Sequence, residues 1–156
     1  MTTKYLTPLA AAVLAALLLA PAASAQGNCK AAKGNLVDVF SGGSTTSGTV
    51  TNAGWLDGTT LTVYPPAFVI TPNPNVVSYT AAMTVTTGQG QLKIWNTYLY
   101  NFVTGQGTVL GSIDGAGSTG DFADATGVIF LNTTATTGTG PVNYVSTVAG
   151  QVCFAK

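Results

Sequence analysis

The run Val76–Thr87, VVSYTAAMTVTT, constrains this chain more than any other stretch. Tyr79, Ala81, Met83 and Val85 fall on one side of an extended backbone, and Ser78, Thr80, Ala82, Thr84 and Thr86 on the other. A period of two is the mark of a strand with one face packed and one face wet. Gly88-Gln89-Gly90 turns the chain, and Gln91–Val103 follows with Leu92, Ile94, Tyr98, Tyr100 and Phe102 on one face. Trp95 and Leu99 take the other face and are expected beneath a covering loop. Gly105-Gln106-Gly107 turns again into Thr108–Ile113. Glycine turns this short leave antiparallel pairing as the simplest arrangement.

The rest of the chain has the same spacing. Leu36–Phe40 reads as a first strand after a polar lead-in that contains Cys29, with Asp38 opposite Val37 and Val39. Ser41–Ser47 reads as a loop and Gly48–Trp55 as a second strand. Asp57-Gly58 signals a two-residue turn ahead of Thr59–Tyr64, where Leu61 and Val63 share a face. Pro65-Pro66 stops that strand, Ala67–Ile70 is short and apolar, and the prolines of 71–75 keep that segment out of any central ladder. Thr126–Leu131 is a further strand, Thr133–Pro141 a low-complexity loop, and Val142–Phe154 one long bulged strand. With about eight strands at hairpin spacing and no helical pattern, the expectation is an all-β, antiparallel eight-stranded barrel, with a β-sandwich as the alternative.

Between two of these strands lies Ile113–Gly127, IDGAGSTGDFADATG. Gly120 sits in a turn signal, Phe122 is the one large apolar group and a candidate plug for the end of a sheet or barrel, and Gly127 suggests a bulge or tight bend. The stretch resembles the Gly-Thr-Gly-x-Phe-x-x-Ala-x-Gly signature of allene oxide cyclases, plant dirigent proteins and secreted bacterial proteins of related barrel type. Thr119, Gly120, Phe122, Ala125 and Gly127 match it, and Ser118 replaces the first glycine. The resemblance implies the eight-stranded barrel. It also implies, as one alternative, a cyclase- or dirigent-like enzyme or stereochemical guide acting in the barrel lumen.

The N-terminus reads as an export signal. Lys4 precedes the apolar run Leu9–Ala20, Pro21 breaks it, and Ala23-Ser24-Ala25 fits a cleavage site. The expectation is a signal peptide over 1–25 and a single secreted domain over 26–156, with no membrane span after cleavage. Cys29 and Cys153 are then either a disulfide or two free thiols. Export favours the disulfide, which closes a long loop.

Absent residues narrow the chemistry. The chain has no histidine, arginine or glutamate, and its charge rests on five lysines and five aspartates. This removes His-based triads and metal sites, Arg clamps, and the clustered cations that nucleic acid needs. Asp114, Asp121 and Asp124 cluster, but not with EF-hand spacing, and turn roles explain them. No cofactor and no metal site are expected, and no catalytic residue is assigned. Tyr64, Tyr79, Tyr98 and Tyr100 either line a lumen that takes a small apolar ligand or fill the core of a closed barrel. The expected function is that of a secreted, non-catalytic barrel. It would bind a small apolar molecule or serve as an exported structural or surface component, with self-association through its weakly charged surface as a further possibility.

Overall fold

Alternating side chains give each strand an inward and an outward face, and a barrel gathers the inward faces, most of them apolar, into one core. The computed structural model describes residues 28–40, 42–136 and 142–155, so the segment 1–25 expected to be a signal peptide lies outside the described residues. Among the described residues nine strands run in chain order: β1 Asn28–Phe40, β2 Thr45–Thr51, β3 Gly58–Val63, β4 Val69–Ile70, β5 Val76–Thr87, β6 Gly90–Asn101, β7 Gln106–Ile113, β8 Thr126–Thr136 and β9 Asn143–Phe154. Neighbours pair antiparallel in the order β3-β2-β1-β9-β8-β7-β6-β5-β4, and β3 also pairs with β5. That last pairing closes eight strands into a barrel and leaves β4 outside as an extra strand on β5. The sandwich alternative is thereby excluded.

Several local expectations are corrected. β1 starts at Asn28, not Leu36, because the supposed lead-in pairs residue by residue with β9 from Asn28↔Phe154 onward. β2 covers Thr45–Thr51, and a single 3-10 turn, Gly54–Leu56, replaces the two-residue turn at Asp57-Gly58. Asp57 Oδ1 accepts a hydrogen bond from the Ala53 N–H and fixes that turn. Thr133–Thr136 belongs to β8, whereas 137–141 lies outside the described residues. β9 runs without a bulge, its register unbroken against both β1 and β8. Gly127 is likewise no bulge: a Cβ there would strike the Gln151 carbonyl oxygen, so its role is close approach of β8 to β9.

Leu36, Met83, Leu92, Ile94, Val109, Ile129, Leu131 and Val152 fill the barrel interior. Cys29 and Cys153 sit directly opposite each other in the β1–β9 ladder and form a disulfide. Trp95 and Leu99 are not beneath a loop. Trp95 is 58% exposed, and with Leu99, Leu110, Val128 and Phe130 it makes an apolar row across the outside of β6, β7 and β8.

One end of the barrel is sealed by the connection between β7 and β8. Its residues dock on the start of β6. Thr119 N–H donates to the Gln91 carbonyl, Thr119 Oγ1 accepts from Gln91 N–H, and Ser118 Oγ accepts from Lys93 N–H. Gly120 has φ 65° and passes so close to Gln89 that a Cβ would meet its carbonyl oxygen. This backbone path swings Phe122 inward to 0% exposure. Its ring lies 6.2 Å from Trp55 and 5.8 Å from Phe154, centroid to centroid. Ala125 is buried beside it.

Candidate functional site

The opposite end is built differently. Continuing the inward alternation of β1 past Leu36 brings Asp38 into the interior, where it is only 7% exposed. Its cross-strand partners are Gly48 on β2 and Tyr144 on β9. A Cβ at Gly48 would strike the Asp38 carboxylate and the Val37 carbonyl oxygen, so the missing side chain is what gives the carboxyl its room. Thr60 Oγ1, on β3, donates to Asp38 Oδ1 at 2.6 Å. Burial pushes the Asp38 carboxyl above the usual carboxylate range, and the Thr60 hydrogen bond offsets part of that rise.

Tyrosines from four directions close over it. Tyr79 on β5 and Tyr98 on β6 are register partners, and their rings stack at 4.6 Å with 10° between planes. Tyr64 follows β3 and packs edge-on to both, at 5.6 and 5.8 Å. Its hydroxyl shares a 3.3 Å hydrogen bond with Thr46 Oγ1. Tyr100 has room because its partner on β7 is Gly107, where a Cβ would come within 2.9 Å of the ring. Tyr144 meets Tyr100 at 6.2 Å. Burial raises all five phenols. Tyr64 rises to about 12, Tyr79 and Tyr98 are pushed well up, with neighbouring tyrosines adding to the effect, and Tyr100 and Tyr144 also move up. At ordinary pH these are neutral hydroxyls.

The lumen is therefore filled rather than open, which excludes a through-channel. What remains is a small inner cavity of about 20 Å³ with Asp38, Tyr64, Tyr79, Tyr98, Tyr100 and Tyr144 in its wall. Four of those tyrosines, Tyr64, Tyr79, Tyr100 and Tyr144, also line an outer mouth of about 100 Å³. Phe40, Phe68 and Phe102 complete that mouth, so every described residue in its wall is aromatic. Larger hollows exist on the outside: one of about 620 Å³ over β6 to β9 is lined mainly by asparagine, glutamine and threonine, one of about 590 Å³ has Lys33 in its wall, and one of about 230 Å³ at the sealed end has Lys30 and Asp121. Chemistry is concentrated at the tyrosine end even though volume is not.

The four tyrosines singled out in the sequence thus converge on one site. Asp38 and Tyr144 join them unannounced. Asp38 could be found only from the Leu36-Asp38-Phe40 alternation, and hydropathy argues against sending a carboxylate inward. The signature residues Thr119, Gly120, Phe122, Ala125 and Gly127 lie at the other, sealed end and shape the plug. Asp114 accepts from the Gly117 N–H in a turn, and among the described residues no three His, Cys, Asp or Glu side chains gather as a metal site would require. No second carboxyl shares the inner cavity with Asp38. A carboxylate pair of the glycosidase kind is absent from it.

No family model, no curated protein and no solved structure matches the chain.

Proposed function

We propose that this is an exported, non-catalytic β-barrel that binds a small, largely apolar molecule at its tyrosine-lined end. The observation that carries the reading is a mouth whose described wall residues are all aromatic, over a buried carboxyl. Apolar walls with a few convergent polar groups are what a small-molecule site requires. Export is supported by the signal-like N-terminus and by the disulfide, which persists in oxidising compartments. Among the described residues no helix is long and apolar enough to cross a membrane. The cyclase- or dirigent-like alternative draws on the resemblance at 118–127. The single carboxyl in the cavity and the absence of histidine favour binding over catalysis. Native mass spectrometry of the protein purified from its own secretion medium tests the proposal. A co-purifying small molecule lost on substitution of Tyr79 or Tyr100 supports it, and a bare protein that takes up no small molecule speaks against it.

A second reading, self-association, has its own support. Trp95, Leu99, Leu110, Val128 and Phe130 are exposed on adjoining strands. Together they present on the order of 500 Å² of apolar surface, in the range of the largest patch a monomer of this kind carries. A standard interface buries roughly 800 Å² per partner. Charges are few on the chain, and Lys93 on the outer side of β6 is the charged neighbour of this face, so a two-fold contact of the row with itself covers the apolar surface of both copies. A sedimentation series that finds only monomer at every concentration removes this reading.

A further inference from the structure

The tyrosine end lacks one kind of group. Among the described residues, Asp38 has no cation near it. Among the described lysines, Lys30 lies over the Phe154 ring at the sealed end, Lys93 is beside the Asp114–Ser118 turn, and Lys33 is exposed on β1. The groups that face Asp38 from the surrounding strands are Gly48 of β2, Thr60 of β3, Tyr98 of β6 and Tyr144 of β9, with Tyr64, Tyr79 and Tyr100 around them. The only titratable ones are tyrosines, and they stay neutral. A carboxylate in such surroundings is poorly solvated and without a counter-charge.

We infer that the tyrosine end takes the head group of a small organic cation, a methylated ammonium, held on the ring faces above Asp38. This rests on the reading that this end binds a small molecule, and it names the chemical class. Three observations converge on it. Aromatic faces carry negative electrostatic potential and attract desolvated cations, and the described residues of this wall are all rings. The carboxyl inside the mouth supplies the opposite charge, and among the described residues it is the one charged side chain in that cavity wall. The mouth of about 100 Å³ is far below the volume of a drug-sized pocket and suits a head group rather than a whole ligand. An anion meets both ring faces and Asp38 as repulsion. A neutral apolar ligand fits the rings but leaves the carboxyl, held by the Thr60 hydroxyl, without a counter-charge.

Calorimetric titration of the mature, disulfide-bonded protein with choline and with 3,3-dimethylbutan-1-ol tests this. The alcohol has the same shape without the charge. Choline is expected to bind about tenfold or more tightly than the alcohol, because only it gains from the ring faces and the carboxylate. Its affinity is expected to fall on acidification, as Asp38 takes up its proton. Asp38→Asn is expected to lose that pH dependence and most of the preference for choline. Phe102→Leu, at an exposed position, keeps the apolar wall but removes one ring, and is expected to weaken choline more than the alcohol. Equal affinity for the two probes, which needs no variant to measure, overturns the cation assignment and leaves the binding end standing. Unchanged choline affinity in folded Asp38→Asn overturns it as well. Failure of both probes to bind overturns the binding end itself.

Discussion

Replacing a phenylalanine by alanine is expected to have opposite consequences at the two ends of this barrel. Phe122 is fully buried against Trp55 and Phe154. A phenylalanine in such a place hides about 200 Å², worth ~5 kcal/mol at 25 cal/mol per Å². Alanine retains a part of that and leaves a cavity, so Phe122→Ala is expected to cost about 3–5 kcal/mol. This is a large share of the roughly 5–15 kcal/mol available to a domain. Phe68, at the tyrosine end, is 51% exposed and touches Tyr79 on one side. Half of its surface is already in water, so it hides about 100 Å², worth ~2.5 kcal/mol, and with the part that alanine retains Phe68→Ala is expected to cost about 1–2 kcal/mol. Urea unfolding followed by far-ultraviolet circular dichroism, with the disulfide intact, measures both. A loss below about 1 kcal/mol for Phe122→Ala, or equal losses for the two variants, would refute the assignment of a plugged and an unplugged end.

Further outcomes follow from the same structure. Removing both cysteines frees a loop spanning a sequence separation of 124 and is expected to lower stability by about 4–5 kcal/mol in the chain-entropy model, read from urea midpoints. Asp38 has its folded pKa raised above the unfolded value near 3.8. Its contribution is fully present below that value and is lost as pH rises through the folded one. Asp38→Asn has no proton to lose, so it is expected to match the native protein in acid and to overtake it as pH increases; a pH-independent gap contradicts this. The tyrosines predict an alkaline limit by the same sign. Their stabilisation is complete below 10 and disappears as pH climbs through the raised folded values, about 12 for Tyr64. Absorbance at 295 nm (a generic tyrosinate wavelength) is expected to rise mainly with loss of the native circular dichroism, and tyrosinate from Tyr79 or Tyr98 in the folded protein at pH 10 would count against the packing.

How much of this was legible in the sequence depends on where side-chain alternation is strong. Val76–Thr87 and the start of β6 carry a clean period of two, and their inward faces are the ones the spacing predicts. The first half of β1, NCKAAKGN, contains two lysines, two alanines and a glycine, none of them strand formers. It is a strand because β9 and the disulfide hold it in register, a long-range cause with no local trace. Asp38 is a similar case. Its face follows from the position of Leu36, but a carboxylate turned inward is intelligible only once Gly48 and Thr60 are across from it. Trp95 and Leu99 were assigned to the correct side of β6. Their exposure could not be read, because a single sequence does not say whether an outer face is covered by a loop, a second copy or water. The tyrosines were visible one by one, but their convergence with Tyr144 depends on closure of β3 onto β5 and of β1 onto β9.

The two ends are expected to respond differently to small molecules, and ring-carbon NMR of protein with labelled aromatic side chains tests this most directly. Titration with a panel of small neutral and cationic aromatic-sized fragments is predicted to shift Tyr64, Tyr79, Tyr100 and Tyr144 together, while Phe122, Trp55 and Phe154 at the sealed end stay unmoved. Silent tyrosines across the panel, or shifts centred on Trp95 of the outer face, would contradict a binding site at the tyrosine end.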